Sequence, residues 1–336
     1  MTSGVVALAV LALAGCSGSS SAPPSALDST SGPAPTVQPS TSLPAPDGVS
    51  PSVTTRVLTD GVLTDHYLPD QDATLRVPTT PGAAPLVVIV PGGGWATADP
   101  TDYVPLAQSL QSSGISTTLI TYSTTADGAQ FPRPIDDVAC AVRWSVFQLT
   151  ALGYPPSQTI VAGHSAGGQL AMEVALTSDK FGGDCPMPPV AINGAIGMAG
   201  VYDLADAGVD PGSLPAAIFP DGGTPEERAQ YSPLALVQDP ANALPSVGVL
   251  LMQGDSDAIV PATQQAAMAA ALTARGITPV VNILPGVQHN MGFPLALEIA
   301  PIIKFWVLGD SYAPAVPSDS AVPLSPDAAS ASPAVG

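Results

Sequence analysis

Basic side chains are scarce in this sequence. Lys and Arg number 8 against 27 Asp and Glu, a formal net charge of −19. Holding nucleic acid takes several Lys or Arg on phosphates, so the balance argues against a nucleic-acid partner. It argues equally against a basic surface for anionic lipid. Charged residues of both signs make up only 10% of the chain, well under the usual quarter. Much of the surface must therefore be Ser, Thr, Pro, Gly and Gln, and the acidity reads as solubility. Histidine is limited to His66, His164 and His289, and cysteine to Cys16, Cys140 and Cys185. The apolar run Val5 to Ala14 is too short to span a bilayer.

Proline is abundant, at 39 residues, and clusters at the two ends. Residues 17–52 and 311–336 are Pro, Ser, Ala and Thr with almost no large apolar side chains. Such segments bury too little surface to offset chain entropy, so a disordered linker and a disordered tail are expected. Leu13-Ala14-Gly15-Cys16 resembles a bacterial lipoprotein export signal over residues 1–16, although no Lys or Arg precedes the apolar run. That resemblance implies a lipid anchor on Cys16, with the protein exported to the outer face of the cell membrane or secreted.

The body, residues 53–310, alternates strand and helix signals. Leu58 to Tyr67 and Ala73 to Val77 read as opening strands. Leu86 to Val90 is a continuous apolar run, as in a strand covered on both faces. A helix over Asp102 to Gln111, a strand over Ser116 to Tyr122 and a helix over Ile135 to Leu149 follow. The last begins at Pro134, carries Asp136 and Asp137 in its first turn, and repeats apolar residues at helical spacing. Strands at Ala191 to Met198, Ser246 to Met252 and Pro279 to Leu284, with helices at Pro261 to Arg275 and Leu295 to Val307, complete the alternation. It implies a mostly parallel central sheet with helices on both faces, and ligands bound beyond the carboxyl ends of the strands.

Gly163-His164-Ser165-Ala166-Gly167 lies between a short buried strand, Thr159 to Ala162, and a helix over Gln169 to Thr177. G-x-S-x-G in a strand–turn–helix context presents a serine hydroxyl at the tip of a sharp turn. The hydroxyl needs a base. His164 is too close in the turn to curl back, His66 lies far upstream, and His289 follows the last strand. His289 is therefore the expected base. Asp257 and Asp255 both follow a strand and could orient that ring. Two alternate carboxylates without further oxygen ligands are weak evidence for a metal loop, and no metal site is expected. Pro91-Gly92-Gly93-Gly94-Trp95 follows Val90, and its glycines allow backbone N–H groups to approach a reacting carbonyl.

Together these segments resemble an α/β-hydrolase of the esterase or lipase-like group, with an H-G-G-G-W loop and a G-H-S-A-G-G elbow. The likeness covers roughly residues 53 to 308. It also includes Phe131-Pro132 through Asp137, Arg143-Trp144, Gly200-Val201-Tyr202-Asp203 and Gly254 to Pro261. It implies Ser165 as nucleophile, Asp257 rather than Asp255 as the acid, and His289 as base. The N–H groups of Gly93, Gly94 and Ala166 would form the oxyanion hole, and hydrolysis would pass through an acyl-enzyme without metal or organic cofactor. Pro91 stands where such proteins usually carry a loop-bracing histidine, which leaves the support of the glycine loop open.

A small cap is expected from Tyr202 to about Pro233, after the sixth strand. Trp95, Tyr202 and Phe219 are candidate pocket walls for a small-molecule ester, with small or short-acyl substrates favoured. An exported chain sits in an oxidising compartment, where Cys140 and Cys185 could pair. A serine peptidase, or a binding protein on an inactive hydrolase fold, is the competing reading. Oligomeric state is not legible.

Overall fold

The computed structural model describes residues 57–177, 180–205, 218–219, 222–289 and 296–309. Cys16, expected to carry a lipid anchor, and the expected linker and tail lie outside the described residues. Among the described residues eight strands form one sheet: β1 (Val62–Leu68), β2 (Gln71–Arg76), β3 (Ala84–Val90), β4 (Ser116–Ile120), β5 (Pro156–His164), β6 (Gly194–Met198), β7 (Gly248–Gly254) and β8 (Val280–Leu284). Their order is β1-β2-β4-β3-β5-β6-β7-β8. β1 and β2 join antiparallel, and β2 pairs antiparallel with β4. From β4 onward every pairing is parallel.

Seven helices accompany it among the described residues: α1 (Val104–Ser112), α2 (Arg133–Ala151), α3 (Ala166–Thr177), α4 (Pro225–Ala229), α5 (Pro233–Gln238), α6 (Ala262–Ala274) and α7 (Ala296–Leu308). Strand side chains alternate between faces, and β3 shows both destinations. Val87 and Ile89 pack with Leu106 and Leu110 of α1 and with Ile299 and Ile303 of α7. Leu86, Val88 and Val90 pack on the opposite face with Ile135, Val138 and Val142 of α2 and with Leu170 and Val174 of α3. A third cluster joins Met172 and Leu176 of α3 to Leu234 of α5 and Met268 of α6 over β6 and β7. A β3 strand buried on both sides explains its unbroken apolar run. β8 is the exception: it closes the sheet, and Val280, Val281 and Ile283 remain exposed.

Local departures from the sequence expectations have physical causes. β1 starts at Val62 because Asp60 and Gly61, both at positive φ, turn the chain just before it. α3 starts at Ala166, three residues ahead of the apolar pattern, because Gly167 and Gly168 form its first turn. The segment of the expected cap contains α4, and α5 begins where that segment ends, at Pro233. α4 begins at a reciprocal cap between Thr224 and Glu227, with Pro225 at its first position. Residues 206–217 and 220–221 of that segment lie outside the described residues.

Candidate active site

Ser165 sits between the last residue of β5 and the first of α3, at φ 53°. A non-glycine residue there costs on the order of 1–3 kcal/mol, which the surroundings must impose. They do so through close packing. A Cβ on Gly163 would strike the carbonyl of Gly167, and one on Gly167 would strike the carbonyls of Val90 and Pro91. The Ser165 N–H is also tied to the Met198 carbonyl at 2.9 Å. The two glycines of the pattern are thus set by proximity, and the serine takes the strained conformation.

The structure brings Ser165, His289 and Asp257 together. His289 Nε2 lies 2.9 Å from Ser165 Oγ, and its Nδ1 lies 2.9 Å from Asp257 Oδ2. The Asp257 side chain is fully buried and that of His289 is 19% exposed. Asp257 Oδ1 accepts the N–H groups of Ile259 and Val260, each at 2.9 Å. Gln253, at the end of β7, donates its Nε2–H to Asp257 Oδ2 at 2.9 Å. With both oxygens engaged, the carboxylate is fixed in rotation and presents one lone pair to the histidine. Asp255, the other aspartate of the loop, is held elsewhere: its Oδ1 accepts the Gly286 N–H at 2.7 Å.

Gly93, Gly94 and Ala166 face the same edge of the sheet, where β3 and β5 end. Gly93 at φ 136° and Gly94 at φ 60° occupy backbone that side chains rarely adopt, and a Cβ on Gly93 would meet Thr97. Among the described residues the N–H groups of Gly93, Gly94 and Ala166 donate to no acceptor. Pro91 does not leave this loop unsupported. Tyr122 donates its hydroxyl to the Pro91 carbonyl at 3.1 Å, and the Gly92 N–H donates to the Tyr103 hydroxyl oxygen at 3.2 Å. The loop is braced by two tyrosines from outside the glycine motif.

His164 is buried and turns away from the serine hydroxyl. Its Nδ1 is 2.8 Å from the Tyr103 hydroxyl and its Nε2 is 2.7 Å from the His289 carbonyl. Burial above all, reinforced by the nearby His289, pulls its pKa down to about 4, so the ring is neutral. His66 instead pairs with Asp72 on the surface, across the β1–β2 ladder.

The expected pocket walls need correction. Tyr202 is fully buried among Met172, Leu234 and Met268, with its hydroxyl against Gly197, so it is a core residue. Trp95 is also buried, its indole N–H donating to Gln169 Oε1 at 3.0 Å. Phe219 is buried too, 5.1 Å from the Phe131 ring. Phe131 in turn meets Trp95 at 6.4 Å and stacks on Tyr231 at 4.9 Å. Of these rings, Phe131 and Tyr231 reach the surface. A groove of about 780 Å³ lined by Tyr231, Phe181, Arg133 and Asp136 does not include the Ser165 edge. Beside it Cys140 and Cys185 form a disulfide, with Cα atoms 5.3 Å apart.

Sheet order, elbow and converging side chains define an α/β-hydrolase. Residues 74–272 match the BD-FAE family, and the chain belongs to it. Among curated relatives, esterase LipC of Mycobacterium tuberculosis is 29% identical over 65% of this chain and 55% of its own length. Esterase LipQ of the same organism is 28% identical over 64% of this chain and 52% of its own length. The chain thus spans about half the length of these relatives. Among solved structures, an acetyl ester-xyloside bifunctional hydrolase from Caldicellulosiruptor lactoaceticus superposes with a TM-score of 0.60 at 20% identity, over 71% of this chain and 88% of that one. A thermophilic esterase from Thermogutta terrifontis gives 0.59 at 22% identity, over 74% and 90%. At these identities the structural likeness establishes the fold.

Proposed function

We propose that this chain hydrolyses carboxylic esters through a covalent acyl-serine. The observation that carries the reading is His289, with one ring nitrogen 2.9 Å from Ser165 Oγ and the other 2.9 Å from Asp257 Oδ2. In the first half-reaction Ser165 Oγ attacks the ester carbonyl while His289 Nε2 takes its proton. Asp257 holds the ring by Nδ1–H and stabilises the imidazolium. The carbonyl oxygen becomes an oxyanion within reach of the N–H groups of Gly93, Gly94 and Ala166. Collapse breaks the C–O bond, and His289 returns its proton to the departing alcohol. Water, deprotonated by His289, then attacks the acyl carbon and releases the acid and free Ser165.

Small or short-acyl esters are the favoured substrates. Trp95, directly after the glycine loop, and Phe219 are both buried against Phe131, and this reading is drawn from that packing. A Thermogutta neighbour is described as butyrate-bound, and others as phosphonylated by sarin or cyclosarin, which fits a reactive serine on this fold. The test is an aryl-ester series of rising acyl length, run beside a peptide library. Fastest turnover of the shortest acyl groups, abolished in Ser165→Ala, supports the reading. Peptide cleavage without ester cleavage would replace it by a peptidase. Lipidation of Cys16 and attachment outside the cell are further proposals, resting on the Leu13 to Cys16 pattern. A Cys16→Ala variant is expected to leave the membrane fraction.

A further inference from the structure

We propose that His164, held between the Tyr103 hydroxyl and the His289 backbone, is a positioning residue that locks the oxyanion loop and the triad histidine into one hydrogen-bonded frame. This rests on the ester-hydrolase reading of the Ser165 site and extends it to three residues outside the triad. The path is continuous. The Gly92 N–H donates to Tyr103 Oη at 3.2 Å, Tyr103 O–H donates to His164 Nδ1 at 2.8 Å, and His164 Nε2–H donates to the His289 carbonyl at 2.7 Å. Gly92 immediately precedes the oxyanion donor Gly93, and the His289 ring faces Ser165. The path therefore joins the two parts of the site that must stay in register during attack.

Each proton along the path has one allowed place. A carbonyl oxygen only accepts, so His164 Nε2 must carry hydrogen. With the ring neutral, Nδ1 is a bare lone pair, and Tyr103 must donate to it. Burial pushes the Tyr103 hydroxyl up to about 12, so it keeps its proton. Its oxygen is then free to accept from Gly92. Protonating His164 would set Nδ1–H against the Tyr103 oxygen and leave the buried hydroxyl hydrogen without this acceptor. Both rings are largely buried, and the His164 and His289 ring centroids are 4.8 Å apart, so the frame is packed as well as bonded. Fixing the His289 peptide fixes the origin of its side chain, and small displacements there are felt at Nε2.

The experiment uses the full chain with Tyr103→Phe, His164→Gln and His164→Leu. Tyr103→Phe is expected to lower kcat about ten-fold while KM changes less than about two-fold, because ground-state binding does not use the frame. His164→Leu is expected to lose about a hundred-fold in kcat. His164→Gln, whose amide offers both an N–H and a carbonyl, is expected to regain about ten-fold of that. Parental kcat in Tyr103→Phe, or equal losses for Gln and Leu, overturns the proposal. A second readout is independent of ester hydrolysis. In histidine-15N-labelled protein, His164 is expected as the Nε2–H tautomer, with an Nδ1 resonance that moves in Tyr103→Phe. An Nδ1–H tautomer, or an unmoved resonance, overturns the frame whether or not the parent cleaves any ester. A parent that cleaves no ester but shows the Nε2–H tautomer and the shift retains the frame and loses the proposed function.

Discussion

Asp255 and Gly286 join the loop after β7 to the loop after β8. The carboxylate oxygen of Asp255 accepts the Gly286 N–H at 2.7 Å, three residues before His289. The same aspartate accepts the Ser256 hydroxyl at 3.0 Å. The two acids of the Gly254 to Pro261 segment therefore divide their work: Asp255 ties the loops, and Asp257 meets the ring. Asp257→Asn is expected to lower kcat by about 10⁴, because the amide can present an N–H to Nδ1 and favour the wrong tautomer. Asp255→Asn keeps an acceptor for Gly286 and is expected to stay within about ten-fold of the parent. Steady-state kinetics on one aryl ester checks both. Comparable losses would assign the acid wrongly.

Glu173 on α3 is fully buried, and among the described residues neither carboxylate oxygen has a hydrogen-bond partner. Burial pushes its pKa from 4.5 to about 7, with Lys180 acting weakly the other way. The folded state thus holds this proton where the unfolded chain has released it. Stability from this group is full below about pH 4.5 and falls as pH rises towards 7, by up to about 3 kcal/mol. Glu173→Gln is expected to flatten the dependence, so that the parent loses more melting temperature between pH 5 and pH 8 than the variant does. Identical pH slopes in thermal melts would contradict the assignment.

The Cys140–Cys185 disulfide closes 45 residues of chain between α2 and the segment after α3. Removing it frees the unfolded ensemble, and a loss of about 2–4 kcal/mol is expected for the Cys140→Ser, Cys185→Ser double variant. Since neither cysteine touches the Ser165 edge, kcat on an aryl ester well below the melting temperature is expected to stay near parental. A lower melting temperature with unchanged kcat agrees. An unchanged melting temperature does not.

Legibility followed the strength of local patterns. The β3 run and the α2 periodicity are visible because burial on two faces or one face writes itself into spacing. The elbow is visible because close backbone approach leaves only glycine at 163 and 167. With three histidines in the chain, a base could be singled out by elimination. Tyr103, Tyr122 and Gln253 were not legible, since their roles depend on contacts with residues distant in sequence or on a loop's turn. The burial of Tyr202 and Trp95 is not legible for a related reason: an aromatic beside a motif looks the same in sequence whether it lines a pocket or fills the core. α4 and α5 carry Pro at their starts, but at 5 and 6 residues they are too short to show a repeating apolar period.

The most direct measurement is the mass of the folded full chain after exposure to a fluorophosphonate, with the adduct mapped by peptide. One phosphonyl group on Ser165, absent in Ser165→Ala and strongly slowed in His289→Ala, is the expected result. An unmodified Ser165 in folded parent protein, or an adduct that forms as fast without His289, would contradict the serine–histidine account.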